Sequence, residues 1–146
     1  MSEHRATIEW NRRGSEFTYE TYPRAHSLRF QGIEVQGNAA PGNIPATVKP
    51  HAGLDPEQAF VASVSSCHML WFLHIACRAG YVVDGYVDEA VGLLDKTWMS
   101  RVTLRPRVTF SGKAPSAEEH RALHHKAHEK CFIANSVKTE VVVEPC

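Results

Sequence analysis

Four cysteines and a run of histidines carry most of the chemistry this sequence offers. Cys67 stands in Val64-Ser65-Ser66-Cys67-His68-Met69-Leu70, and Cys131 follows a stretch holding His120, His124, His125 and His128. A cysteine attacks electrophiles as its thiolate, and the sulfenic acid formed on oxidation condenses with a second thiol. Two cysteines brought together by a fold can therefore run a redox cycle. The plainer alternative is equally physical: free cysteine is among the most buried residue types, and on position alone Cys67 reads as packing. Cys77 lies about 280° further round a helix and reads as core, while Cys146 is terminal and read as uninvolved. His124, His128 and Cys131 recur at i, i+4 and i+7, one stripe that could hold zinc with Cys67 or His68. Their spacing matches none of the tight ligand pairs of structural zinc sites. We expect no metal, and read the histidines as a solvated helix face.

Elements must hold these side chains. Asp55-Pro56-Glu57-Gln58 reads as an N-cap, a first-turn proline and acidic or polar residues suited to the helix dipole. Gly80 supplies the stop. The helix between them, ~36 Å long, is apolar on nearly every face and is expected at the centre of the molecule. Upstream, Thr7–Trp10 and Phe17–Tyr22 flank a turn at Asn11–Gly14 and predict a hairpin, with two short runs, Ser27–Phe30 and Ile33–Val35, after it. Gly37–Gly53 has no period and predicts an irregular loop feeding the helix. Downstream, Val82–Leu94 and Trp98–Ser111 predict two long strands. Ser116 with Glu119 predicts a capping box opening a second helix to about Cys131 or Ile133. Lys138–Glu144 predicts a closing strand. Strand blocks separated by helices make this an α+β chain, and its 146 residues suit one domain, 1–146.

Composition narrows the class. Sixteen basic residues balance sixteen acidic ones, which argues against a nucleic-acid or membrane-surface partner. MSEHRATIEW shows no apolar signal segment, and His68, His74 and Arg78 interrupt the one apolar helix, so no membrane span is expected. A cytoplasmic location follows as the expectation. There, cysteines serve redox chemistry, metal or burial more often than structural disulfides.

Asp55-Pro56-Glu57-Gln58, Cys67 ten residues after Glu57, Cys131 in the second helix and a terminal valine-rich strand together resemble the OsmC/Ohr family, the osmotically inducible and organic hydroperoxide resistance proteins. The resemblance covers roughly residues 50–145. It implies an OsmC-like fold, with a long central helix and a second helix packed against curved antiparallel sheets in an intertwined homodimer. It also implies thiol-dependent reduction of organic hydroperoxides, with Cys67 as the attacking thiolate, Cys131 as the resolving thiol and Glu57 at the site. The reductant it implies is a dithiol, lipoyl-type or thioredoxin-type, with no cofactor. A redox sensor or thiol-based binding protein on the same fold is the alternative. Glu57 and Cys67 are ~15 Å apart along one helix, so Glu57 would reach a thiol only from the other subunit. Where the resemblance leads us to expect an arginine before the long helix, this chain has Thr47. Lys49, Arg24 and Arg29 are then the candidate cation partners.

Overall fold

Helix α1 spans Pro56–Arg78, and side chains and a glycine set both its ends. Asp55 Oδ1 accepts from Gln58 N at 2.7 Å while Gln58 Oε1 accepts from Asp55 N at 3.3 Å. Two amides that lack helical partners are thus satisfied reciprocally. At the other end Gly80 adopts φ +85°. Gly80 N donates to Cys77 O and Tyr81 N to Ala76 O, each at 3.0 Å, which closes the last turn in the left-handed form that glycine adopts without strain. Helix α2, Ala117–Lys130, opens with the expected box: Glu119 N donates to Ser116 Oγ at 3.1 Å and Ser116 N to Glu119 Oε2 at 2.7 Å. It stops just before Cys131.

The structure, a computed structural model, describes residues 1–146 and divides them into two compact units, Met1–Ala59 and Phe60–Cys146. In the first, β1 (Thr7–Glu9), β2 (His26–Phe30) and β3 (Ile33–Gly37) form an antiparallel sheet in that order. The partner of β1 is β2, not Phe17–Tyr22 as the hairpin reading expected. The latter segment folds into local turns instead: Thr21 Oγ1 donates to Glu16 O at 2.7 Å, and Tyr22 N to Thr18 O at 3.1 Å. The loop before α1 is ordered and largely irregular, with one short 3-10 turn at Pro41–Asn43.

In the second unit the two expected long strands each break in the middle. Val82–Leu94 becomes β4 (Val82–Asp88) and β5 (Val91–Asp95), and Trp98–Ser111 becomes β6 (Trp98–Leu104) and β7 (Pro106–Ser111). β4 pairs with β7 and β5 with β6, so each run passes from one sheet to another. The break is fixed by Asp88, whose Oδ1 takes the Arg105 amide hydrogen at 2.6 Å. β8 (Glu140–Val143) joins β6 in parallel, making that sheet mixed where antiparallel sheets were expected. The chain can do this because α2 carries it back along the sheet before β8 begins.

Helix α1 buries one stripe at four-residue spacing: Val64, His68, Phe72 and Ala76. Phe72 and Ala76 pack on Leu123 and Ala127 of α2, with Tyr86, Val108 and Phe110 of β4 and β7 around them. Val64 packs with Val102 and Leu104 of β6 and with Ile133, Val141 and Val143. By length and composition α1 would pass for a membrane span, with a mean hydropathy of 1.5 over 18 residues. Its stripe and its packing on α2 are those of a core helix. Yet only 22 % of that window is buried within the chain.

Candidate functional site

The seam between α1 and α2 brings Cys67 and Cys131 together. Cys131 leaves the helical conformation at φ −65°, ψ 109°, which ends α2 and sets its side chain against α1. Its Sγ lies 4.0 Å from Val64 O, accepts from Ala134 N at 3.5 Å, and has the Cys67 thiol as a neighbour close enough to perturb it. Both are free thiols; Cys67 is half-buried and Cys131 is 1 % exposed. Burial pushes the Cys131 thiol up to about 11, and the neighbouring Cys67 thiol pushes the same way, against the backbone amides of Ala134 and Ile133. Cys131 therefore stays protonated at neutral pH, and Cys67 is the more accessible sulfur of the pair. Cys77 and Cys146 are exposed, so the expectation that Cys77 is core does not hold.

The histidines overturn the solvated-face reading. His124 is 2 % exposed and His68, its partner across the seam, 1 %. Their rings lie 3.0 Å apart between His68 Nε2 and His124 Nδ1, and His124 Nε2 continues to His120 Nε2 at 3.2 Å. Phe72 stacks on His124 at 4.2 Å between ring centroids. Burial pushes His68 down to about 4, with His128 adding to it and Asp88 opposing, and His124 down to about 3. Burial lowers His120 as well. Only His125 fits the solvated reading, pairing with Glu129 at 3.5 Å on the exposed side. No group of three or more His, Cys, Asp and Glu side chains is placed to hold a metal. His124, the first residue of the zinc stripe, spends both ring nitrogens on other histidines.

The remaining candidates lie in the first unit. Glu57 stands in the first turn of α1. Arg24 is buried, donates to Tyr22 O at 2.6 Å and Tyr19 O at 2.8 Å, and lies over the Tyr22 ring at 3.5 Å. Arg29 pairs with Glu9 at 2.6 Å. Lys49 is exposed and makes no ion pair, while Thr47 donates to Glu20 O at 2.8 Å.

Residues 49–145 match the sequence pattern of the OsmC-like protein family. The chain belongs to that family. An OsmC-like protein of unknown function from Vibrio cholerae is 47 % identical over the full length of both chains, with a TM-score of 0.94. Two organic hydroperoxide resistance proteins share the fold at lower identity. The one from Elizabethkingia anophelis has 16 % identity and a TM-score of 0.70, covering 99 % of this chain and 94 % of its own. OhrB of Bacillus subtilis has 19 % identity and a TM-score of 0.69, covering 99 % and 98 %. Among curated proteins, none matches. The α+β architecture of this OsmC-like chain is thus one that hydroperoxide resistance proteins also use.

Proposed function

We propose that this OsmC-like chain, read as one domain, is a thiol-dependent peroxidase that reduces organic hydroperoxides through Cys67 and Cys131. The observation that carries the reading is the pair of free thiols set next to each other in the α1–α2 seam, one half-buried and one buried and protonated. In the first step the Cys67 thiolate attacks the outer peroxide oxygen. An S–O bond forms, the O–O bond breaks, and the alkoxide leaves as alcohol after taking a proton. In the second, the Cys131 sulfur attacks the Cys67 sulfenic acid. An S–S bond forms, the S–O bond breaks, and hydroxide leaves as water with the Cys131 proton. A lipoyl- or thioredoxin-type dithiol then restores both thiols and is itself oxidised to a disulfide. Met69, Leu70 and Trp71 follow Cys67, and Trp71 meets Phe132 edge-on at 5.4 Å. That apolar flank suits an organic peroxide better than hydrogen peroxide.

A homodimer supplies what one copy leaves open, namely cover for α1 and a route for Glu57 and a cation to the thiols. A dithiol-dependent cycle needs a reducing compartment, and we assign the chain to the cytoplasm. Burial of Cys131 favours one alternative, a redox sensor whose disulfide is shielded from reductant. Titration of thiols after one equivalent of tert-butyl hydroperoxide tests the reading. The wild-type chain should lose two thiols within minutes and turn over repeatedly with dithiol. Cys67→Ser should lose none to peroxide, and Cys131→Ser should oxidise once and accumulate sulfenic or sulfinic acid at Cys67. Loss of turnover in Cys77→Ser equal to that in Cys67→Ser would show the nucleophile to be wrong. A single oxidation that dithiol cannot reverse would favour the sensor.

A further inference from the structure

Three imidazoles lie in the same seam as the thiols and take no part in the steps above. Cys131 faces Val64 and Cys67, His124 faces His68, and His120 faces Phe72, so sulfurs and rings occupy successive rungs of the α1–α2 contact. His68 Nδ1 is buried without a hydrogen-bond partner, as are His128 Nδ1 and the Tyr86 hydroxyl. Apolar side chains would fill this seam without leaving polar atoms unpaired. The groups facing the rings are His128 from α2 and Asp88 and Tyr86 from β4, with Phe110 of β7 against His120. Asp88 is itself engaged, accepting from Ser65 Oγ at 2.5 Å and from the Arg105 amide. The outer ring, His120, is half-exposed.

We propose that His68, His124 and His120 form a proton-transfer chain for the thiol pair, with its inner end at His68 and its outer end at His120. Neutral rings carry one N–H each. Two of those hydrogens close the two N···N contacts, and the third sits at one end, on His68 Nδ1 or on His120 Nδ1. Shifting every proton by one place exchanges the two arrangements and moves a proton between seam and surface while no ring stays charged. Burial keeps His68 and His124 neutral at pH 7, as this requires. The proposal rests on the peroxidase reading. After dithiol reduction Cys67 is a thiol and must lose a proton before it attacks, and the departing alkoxide must then gain one. The chain carries the first proton out and returns the second, so it resets without any ring turning over. His128 stands one turn of α2 before Cys131 and close enough to His68 for their charges to repel. In the proposal it is the relay between the inner end and the sulfurs, and both His68 Nδ1 and His128 Nδ1 are free of other partners. The three rings are positioning and proton-transfer residues.

The test is the rate at which tert-butyl hydroperoxide consumes the Cys67 thiol in a single turnover. His124→Ala should slow it at pH 7 by about 10- to 100-fold, the range of general acid–base assistance. A cavity of about 240 Å³ lined by His124, His128 and Arg121 gives added imidazole access to the deleted ring. Imidazole should restore the rate, and 1-methylimidazole, which cannot pass a proton from one nitrogen to the other, should not. His120→Phe should be slowed similarly. Equal rescue by both compounds, or wild-type rates in both variants, overturns the chain while leaving the peroxidase reading intact. A wild-type protein that hydroperoxide does not oxidise ends the peroxidase reading and the proposal with it. Should the variants not fold, nitrogen-15 spectra of the unaltered protein decide. His68 and His124 should be neutral at pH 7 and exchange between both N–H tautomers, and a single fixed tautomer at either ring overturns the chain.

Discussion

Cys67 in the proposed cycle must react as a thiolate, and a thiolate is stabilised by a nearby cation. The three candidates differ in how they are held. Arg29 is already neutralised by Glu9, and Lys49 is exposed with a long side chain to order. Arg24 is fixed by two carbonyls and the Tyr22 ring, so its charge is in place before any partner arrives. A preorganised cation is worth more than one that must be ordered on arrival. We therefore favour Arg24, acting from the second copy as Glu57 would. Arg24→Met should slow iodoacetamide alkylation of Cys67 at pH 6 to 7 by about tenfold, the lower end of what one close opposite charge does. Lys49→Met and Arg29→Met should change it little. If Lys49→Met is the slow variant, the cation is Lys49. If all three react as wild type, no first-unit cation activates the thiol.

Among the elements, α1 and α2 are joined through groups that must stay uncharged, which makes their contact sensitive to acid. His68 and His124 both titrate lower in the folded chain than the ordinary 6.5, because burial penalises the charged ring. As pH falls the unfolded chain therefore takes up protons first. Stability is whole above about 6.5 and is lost from there down, through about 4 for His68 and about 3 for His124. Each ring contributes a slope of about 1.4 kcal/mol per pH unit inside its window. The urea midpoint should drop between pH 7 and pH 5, above the range where carboxylates titrate, and His124→Leu should flatten the drop. An equal midpoint at both pH values would mean that the seam opens to protons without unfolding. How α2 starts was legible in the sequence, since Ser116 and Glu119 satisfy each other locally. How it faces was misread, because a count of polar residues set its histidines on a solvated face. Leu123, Ala127 and Cys131 mark a buried stripe, and His124 lies on it. The division of each long β-run between two sheets was not legible, because the register depends on Asp88 meeting Arg105 seventeen residues away.

On the scale of the whole molecule, one copy leaves too much apolar surface bare. Leu70 and Phe132 are exposed beside the thiols, and Leu93, Leu94 and Trp98 are exposed on and beside β5. The apolar window of α1 is only 22 % buried, although its sequence, apolar on almost every face, reads as that of a helix covered all round. The sequence told how much surface α1 needs covered, but not whether the cover comes from its own chain. Contiguous apolar surface of this kind marks an interface, and a second copy is the partner always present at equal concentration. We expect sedimentation to find a species of twice 16.3 kDa at micromolar concentration. Leu70→Glu, which sets a charge on the bare face of α1 beside Cys67, should shift it toward the monomer and lower hydroperoxide turnover in parallel, since Glu57 and the cation would then be lost to the thiols together. A compact 16.3 kDa wild-type monomer would remove the dimer and the route by which Glu57 and Arg24 reach Cys67. Turnover that survived full dissociation would show instead that the thiol pair and its histidines suffice within one chain.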